Sequence, residues 1–180
     1  MKVAVLLTCF NRKEKTLECL ERLFGQDSLE RFELRVYLTD DNSKDGTEKA
    51  VRERFPNVNI SKGDGSLFWA GGMRSSWRDS LNSGIDFDYF LLLNDDTIIF
   101  KDTLLRMIES NQSMFLKNNI PNITIGTTTD FKGGKFTYGG FKLFSPHRLK
   151  HILVNSASQE LECDFGCANS NIWNIVFEKH

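Results

Sequence analysis

Two pairs of aspartates stand out because each pair follows a short apolar run. Asp40 and Asp41 come after FELRVYLT, and Asp95 and Asp96 come after YFLLL and one asparagine. Aspartates commonly end strands and begin turns, so one pair alone would carry little weight. Two pairs in equivalent places indicate a shared site, because the carboxyl ends of parallel strands line one crevice.

Carboxylates that are brought together repel one another, and their pKa values rise unless a cation compensates. Mg²⁺ and Mn²⁺ are hard cations that prefer oxygen ligands and are often held by one or two carboxylates plus substrate phosphates. We therefore expect the four aspartates to converge around one divalent ion that clamps a nucleoside diphosphate.

A glycine-rich stretch from Gly63 to Gly72 is the second feature with possible chemistry. Gly71 and Gly72 would allow the backbone to approach a ligand closely, and the helix expected next would offer free N–H groups and the positive end of its dipole. The stretch matches neither the Walker loop nor the dinucleotide-binding glycine pattern, so its glycines alone are weak evidence.

Alternating strands and helices must position these residues. The unbroken apolar run from Lys2 to Thr8 is typical of a strand buried on both faces, and a helix capped by Asn11 should follow it up to Gly25. Further strands are expected over 32–39, 57–61 and 89–93, with helices over 47–55, 74–81 and 102–111. This alternation predicts an α/β fold with a mostly parallel sheet.

The C-terminal third shows a different pattern. ITIGTTT and KFTYGGFKLF indicate short strands separated by glycine turns, and the segment 163–180 reads as a turn, a strand and the opening turns of a helix. No linker or repeat interrupts the chain, so we expect one domain over residues 1–180.

Composition narrows the class of partner. A net charge of -1 without any Lys/Arg-rich run argues against nucleic acid. No apolar run reaches membrane-spanning length, so we expect no integral membrane segment and a cytoplasmic protein. The four cysteines (Cys9, Cys19, Cys163 and Cys167) are then expected to be reduced thiols.

The chain resembles the family 2, inverting glycosyltransferases of GT-A fold, which include bacterial polysaccharide and rhamnosyl-type transferases. The resemblance rests on VLLTCFNR, LTDDNSKDGT, GSLFWAGGMR and FLLLNDDT, and it covers nearly the whole chain. It implies a Rossmann-like α/β domain whose mostly parallel central sheet is flanked by helices. Residues 1–112 would form the nucleotide-sugar-binding half and residues 113–180 a partial acceptor-side half.

The resemblance also implies roles for individual residues. Thr8 and Phe10 would line the base site, and Asp41 would accept a hydrogen bond from the base. Asp96 is the first choice as metal ligand, and Asp95 would join it or contact the ribose or sugar. The other residues implied in donor binding are Arg12, Asp40, Trp69, Gly71 and Arg74, and Asn94 stands where many members have the first aspartate of their metal motif.

The implied reaction is transfer of a sugar from a UDP- or dTDP-sugar, with Mn²⁺ or Mg²⁺, to a saccharide or lipid-linked saccharide acceptor in surface polysaccharide synthesis. The family's catalytic acidic motif would lie a few dozen residues beyond CDFGCANSNIWNIVFEKH, and the chain ends before it. Asp164 is the nearest candidate for the general base. We therefore expect donor and metal binding with weak transfer or none.

Three alternatives stay open. A nucleotidyltransferase can share this fold, although its triphosphate loop usually contains glycine and TCFNRKEK contains none. A nucleotide-sugar-binding fragment or partner subunit without turnover would keep the same pocket. His147, His151, Cys163 and Cys167 have the residue types of a zinc site, although the spacing is loose. The donor sugar, the acceptor and the oligomeric state stay undetermined.

Overall fold

A computed structural model describes residues 1–130, 136–145, 150–153, 163, 165–166 and 176–177. Strands and helices alternate in the first part of the chain, as the sequence predicts. The elements are β1 (Lys2–Cys9), α1 (Lys13–Phe24), β2 (Glu33–Asp40), α2 (Thr47–Arg54), β3 (Asn59–Lys62), α3 (Phe68–Asn82), β4 (Tyr89–Leu92) and α4 (Thr103–Asn118), with a single 3-10 turn at Leu29–Arg31 before β2.

Short strands follow α4. They are β5 (Ile123–Thr124), β6 (Thr128–Thr129), β7 (Phe136–Tyr138), β8 (Gly140–Ser145), β9 (Lys150–Leu153), β10 (Phe165–Gly166) and β11 (Val176–Phe177). Two small sheets contain β6 with β7, and β10, β8 and β9 in that order. The glycine-rich pattern after residue 123 thus gives short strands, as expected.

The central sheet has six strands in the order β3-β2-β1-β4-β11-β5. The first four run parallel, and β11 runs antiparallel to both of its neighbours. Cys9 lies level with Asp40 in the register of β1 and β2, so both strands end at the same edge. The predicted α/β fold of GT-A, Rossmann-like type, with a mostly parallel sheet flanked by helices, is confirmed.

Helices cover both faces of strand β1, and its residues from Val3 to Leu7 are all apolar and buried. Val3, Val5 and Leu7 belong to a core cluster with residues of α1, α2 and α4. Ala4 and Leu6 belong to a second cluster with residues of α3 and β4. Successive strand residues point to opposite faces, so an unbroken apolar run is what a central strand of a three-layer sandwich requires.

Helix α3 begins six residues earlier than the sequence predicts, and Gly71 and Gly72 lie inside it. A Cβ on Gly72 would stand 1.9 Å from Thr8 Oγ1, so α3 lies directly on β1 there. Ser76 Oγ donates to the Leu7 carbonyl oxygen at 2.7 Å and fixes the contact. The expectation that Gly72 admits a ligand is therefore corrected, because the atoms it admits are those of β1. Packing overrides the low helix propensity of glycine.

The start of α1 also differs from expectation. Asn11 does not cap this helix, since its Oδ1 accepts the Lys44 N–H at 2.7 Å. The Lys13 N–H at the first turn instead donates to Asp45 Oδ2 at 2.9 Å. The loop after β2, rather than Asn11, therefore supplies a hydrogen-bond acceptor for the first turn of α1. This bond also ties the β1–α1 loop to the edge of the sheet.

Two further elements differ towards the C-terminus. Helix α4 continues beyond Asn111 to Asn118 and ends at Asn119 with φ of 52°, so it runs through the predicted boundary between residues 112 and 113. Val176–Phe177 forms a strand of the central sheet, where the opening turns of a helix were expected. No helix in the described ranges has both the length and the apolar character needed to cross a bilayer.

Candidate functional site

The carboxyl ends of β2, β1 and β4 lie side by side, and a buried thiol stands between their acidic residues. Burial raises the pKa of the Cys9 thiol well above its ordinary value, and the negative charges of Asp40 and Asp95 raise this pKa further. Burial likewise raises the pKa of Cys19, whose Sγ lies 3.3 Å from the Asn94 carbonyl oxygen. Burial therefore disfavours the reactive thiolate form of both cysteines.

Asp40 and Asp41 serve two different loops, although they are adjacent in sequence. Asp40 Oδ1 accepts the Ser43 N–H at 2.8 Å and orders the turn after β2. Asp41 Oδ2 accepts the N–H groups of Leu67 and Phe68 at 2.9 and 3.2 Å, and so holds the start of α3. Consecutive residues of an extended chain project to opposite faces, which separates the two carboxylates.

Asp95 and Asp96 share one partner, the guanidinium of Arg12. Arg12 Nη1 lies 2.7 Å from Asp96 Oδ2 and 3.4 Å from Asp95 Oδ1. Burial raises the pKa of Asp95 to about 6, and the charge of Asp96 also raises it, whereas the charge of Arg12 and a hydrogen bond from Thr16 lower it. The environment thus opposes the ionised form of Asp95, and Arg12 offsets part of this effect.

Asp96 has a carboxylate oxygen that finds no partner among the described residues. Its Oδ1 is buried and accepts no hydrogen bond from the described residues. A buried carboxylate oxygen is unfavourable without a donor or a cation, and a hard divalent ion is the partner that suits oxygen best. The pair of carboxylates therefore fits a divalent cation that takes its remaining ligands from substrate phosphates and water.

The expectation that all four aspartates surround one ion is wrong. The part of the chain that the structure describes contains no group of three or more His, Cys, Asp or Glu that could hold a metal. The reason is the alternation that turns Asp41 towards α3 and the use of its oxygens by backbone N–H groups. Asp95 and Asp96 remain the predicted ligands, as a pair.

The N-terminus of α3 joins the same crevice through an aromatic residue. Trp69 Nε1 donates to Asn94 Oδ1 at 2.8 Å, which links α3 to the residue just before the acidic pair. Phe68 precedes it with φ of 52° and a side chain that is 80% exposed. Phe10, at the end of β1, is also exposed. A bulky residue in the left-handed region is strained, and such strain is concentrated at functional sites.

Sequence reasoning did not identify Phe68 or Thr16 as residues of the site. Thr16 Oγ1 lies 3.3 Å from Asp95 Oδ2 and is fully buried. The only signal for Thr16 was its position four residues after Arg12, which places both at the same side of the first turn of α1. For Phe68 the signal was an aromatic residue inside a glycine-rich segment.

The remaining predicted residues lie as follows. Thr8 is buried beneath Gly72 and donates to the Thr39 carbonyl oxygen at 3.2 Å, so its hydroxyl serves the contact between α3 and the sheet. Gly71 lies in α3 against the side chain of Leu67. Arg74 is exposed on α3 and forms no ion pair with any described residue. Their contacts with a donor stay predictions.

Several predicted residues fall in other parts of the chain. Asp164, His147 and Cys167 lie outside the described residues. His151 belongs to β9, and Cys163 is partly buried. The general base and the zinc site therefore stay predictions.

Solved structures share this fold. Residues 1–349 of S. aureus TarS in complex with UDP-GlcNAc match with a TM-score of 0.58 and 21% identity, covering 75% of this chain and 36% of that one. The same segment with UDP gives 0.54 and 22%, with 75% and 38% covered. A 4-diphosphocytidyl-2C-methyl-D-erythritol synthase gives 0.51 and 12%, with 98% and 72% covered. At these identities the likeness shows the fold alone.

Family membership comes from the sequence profile. The chain spans only 36–38% of the TarS structures that it matches. No curated protein matches it at a significant level. The family model described as glycosyl transferase family 2 matches residues 4–155, which is most of the chain. The chain therefore belongs to glycosyl transferase family 2.

Proposed function

We propose that this chain binds a UDP- or dTDP-sugar together with Mn²⁺ or Mg²⁺ and transfers the sugar to a saccharide or lipid-linked saccharide acceptor in surface polysaccharide synthesis. The observation that carries the proposal is the buried oxygen of Asp96, which has no partner in the described part of the chain and lies beside Asp95, just after β4. Family membership supports it, as does the complex of TarS with UDP-GlcNAc on a related fold.

The proposed role of the acidic pair follows from the charge that develops during transfer. Negative charge builds on the departing diphosphate while the anomeric carbon becomes cationic, and a divalent ion stabilises that leaving group. Asp95 and Asp96 would hold the ion, and the Trp69 indole would keep Asn94 in place beside them. Arg74, exposed and without an ion pair among the described residues, would supply a further positive charge for the phosphates.

The first amides of α3 are a poor phosphate site. Leu67 and Phe68 already donate their N–H groups to Asp41. These bonds neutralise the part of the helix that would otherwise attract an anion. We therefore assign the diphosphate to the metal and to arginine side chains.

Base recognition would use Asp41 and Phe10. Asp41 accepts three backbone N–H groups, those of Gly65, Leu67 and Phe68. A carboxylate has about four lone-pair positions, so one stays available for the imide N–H of uracil or thymine. Phe10 is 51% exposed and can stack on the base.

Asp164 is our proposed general base for the acceptor hydroxyl, because transfer needs a carboxylate within hydrogen-bonding reach of that hydroxyl. We expect only weak transfer by this chain. Asp164→Asn should abolish the transfer that wild type shows and leave binding of UDP with Mn²⁺ unchanged. Equal transfer by wild type and the variant would assign the base elsewhere.

A thermal-shift screen tests donor and metal binding together. UDP, dTDP and GDP are compared with and without Mn²⁺, on wild type, Asp96→Asn and Asp88→Asn. Asp88 is the control because its carboxylate accepts the Lys2 N–H at the opposite end of β1. At one hundred times its dissociation constant a ligand adds about 2.7 kcal/mol of stability, which is a clear rise in melting temperature. We expect the rise with UDP or dTDP plus Mn²⁺ in wild type and in the Asp88 control. We expect its loss in the Asp96 variant. No shift with either pyrimidine diphosphate would contradict the proposal, as would an equal shift with GDP.

A nucleotidyltransferase is the second candidate, favoured by the 98% coverage of this chain on the synthase fold. Turnover separates the candidates. Release of pyrophosphate from UTP or dTTP with a sugar phosphate would support the nucleotidyltransferase. Hydrolysis of a UDP-sugar with Mn²⁺ would support the glycosyltransferase. Binding without any turnover would support a donor-binding subunit.

A further inference from the structure

The guanidinium of Arg12 contacts both of the predicted metal ligands. Its Nη1 contacts one oxygen of Asp96 at 2.7 Å and one oxygen of Asp95 at 3.4 Å. The two carboxylate side chains are only 11% and 6% exposed, while the Arg12 side chain is 49% exposed. A guanidinium stays charged at all physiological pH values. The protein therefore already holds one positive charge between the two predicted ligands.

The backbone of Arg12 is anchored independently of its side chain. The Arg12 carbonyl oxygen accepts the Thr16 N–H at 2.9 Å and lies 3.0 Å from the Thr16 hydroxyl. The next residue along the chain, Lys13, is fixed by Asp45. Among the described residues, the Arg12 guanidinium is held by Asp95 and Asp96 alone. It can leave them without any change in the β1–α1 loop.

A divalent ion held by these carboxylates would weaken their contacts with the guanidinium. An ion that bridges the pair would use the oxygens that Arg12 contacts, or Asp96 Oδ1 beside them. In either case it would lie within a few ångströms of Arg12, and like charges at that distance repel strongly in a buried site.

On the assumption that Asp95 and Asp96 hold the metal, as in the proposed function, we propose that Arg12 is an internal cation that competes with the divalent ion. It offsets one of the two negative charges of the acidic pair in the free protein and leaves when metal binds. A nucleoside diphosphate would give the released guanidinium a new anionic partner. Metal and diphosphate should therefore strengthen each other's binding, by the same factor in each direction.

The test measures binding of Mn²⁺ alone, from the electron paramagnetic resonance signal of the free ion, on wild type and Arg12→Met. We expect the variant to bind Mn²⁺ about tenfold more tightly, which corresponds to the loss of one competing contact of about 1.4 kcal/mol. Arg12→Lys, which keeps the charge, should fall between them. Arg12→Gln repeats the test with a polar side chain if the methionine variant does not fold.

Arg35→Met is the matched control for net charge. Arg35 is partly exposed and paired with Glu33, as Arg12 is paired with its aspartates. The register of β1 and β2 places it opposite Ala4, five residues from the strand end at Cys9. That separation is about 16 Å along the strand. Its Mn²⁺ affinity should equal that of wild type.

The outcomes separate this inference from the proposed function. If wild type binds Mn²⁺ and Arg12→Met binds it equally well or more weakly, Arg12 does not compete with the ion. The proposed metal site would be unaffected by that result. Failure of both proteins to bind Mn²⁺ at millimolar concentration would overturn both. A second measurement adds UDP, which should tighten Mn²⁺ binding by a larger factor in wild type than in Arg12→Met. An equal factor would contradict the release of Arg12.

Discussion

Replacing Asp95 by asparagine should stabilise the protein at neutral pH and much less at acid pH. Asp95 is only 5% exposed, and burial raises its pKa from the ordinary 3.8 to about 6. The folded protein therefore holds this proton more tightly than the unfolded chain does. The stability that the proton contributes is present below about pH 4 and is lost as the pH rises through about 6.

The magnitude follows from the size of the shift. A difference of about two pKa units corresponds to about 3 kcal/mol. Asparagine has no proton to lose. The free energy of unfolding of Asp95→Asn, minus that of wild type, should therefore increase by about 2–3 kcal/mol between about pH 4 and about pH 7.5. The contact of Arg12 with Asp96 at 2.7 Å is retained in the variant, so the arginine keeps a partner.

Urea unfolding at several pH values, with a chelator present, measures this difference directly. Asp45→Asn is a control with the opposite sign. Hydrogen bonds from Thr47 and Lys13 hold the pKa of Asp45 below its ordinary value, although burial acts in the other direction. Asp45→Asn should therefore lose more stability at neutral pH than at acid pH.

The reasoning is refuted if the advantage of Asp95→Asn over wild type stays constant, or shrinks, as the pH rises. Asp95 would then be ionised in the folded state without a penalty. If Asp95→Asn also loses Mn²⁺ binding, Asp95 serves metal binding at a cost in the stability of the protein.

Three further substitutions test the contacts around α3. Gly72→Ala should destabilise the protein by about 1–3 kcal/mol in urea unfolding, because its Cβ would meet Thr8 Oγ1 at 1.9 Å. Helix propensity alone predicts a gain in stability, so a gain would contradict this close contact. Phe68→Asn should raise stability by about 1 kcal/mol, because asparagine tolerates the left-handed φ of 52°, and a loss would show that the ring packs. Trp69→Phe removes the 2.8 Å hydrogen bond to Asn94 and should lower the stability of the protein by about 1 kcal/mol. If both the melting temperature and the affinity for UDP are unchanged, the hydrogen bond between Trp69 and Asn94 contributes to neither.

Local sequence patterns were sufficient for the four parallel strands and for the order of elements up to α4. The apolar run of β1 and the run before Asn94 indicated strands covered on both faces, and all of their residues except Lys2 are buried. The alternation of strands with helices then required parallel pairing. The acidic residues at the strand ends could be placed at one edge of the sheet for the same reason.

The tertiary structure decided where each side chain at that edge points. Asp41 turns towards α3 and binds backbone N–H groups, and Asp45 replaces Asn11 as the partner of the first turn of α1. Gly72 of α3 lies against Thr8 of β1, and Gly71 lies against Leu67, although their sequence resembled a ligand loop. These outcomes depend on loops that are distant in sequence, and no local pattern encodes the distance between two such loops.

The sequence by itself determined the fold class and the chemical character of the site, because periodicity and residue type act over a few neighbouring positions. Only the three-dimensional packing decided that Asp40 and Asp41 serve different loops and that Arg12 meets the adjacent Asp95 and Asp96 from more than eighty residues away in sequence. Contacts of this kind arise from the way that helices lie on a sheet, and they fix which charges meet.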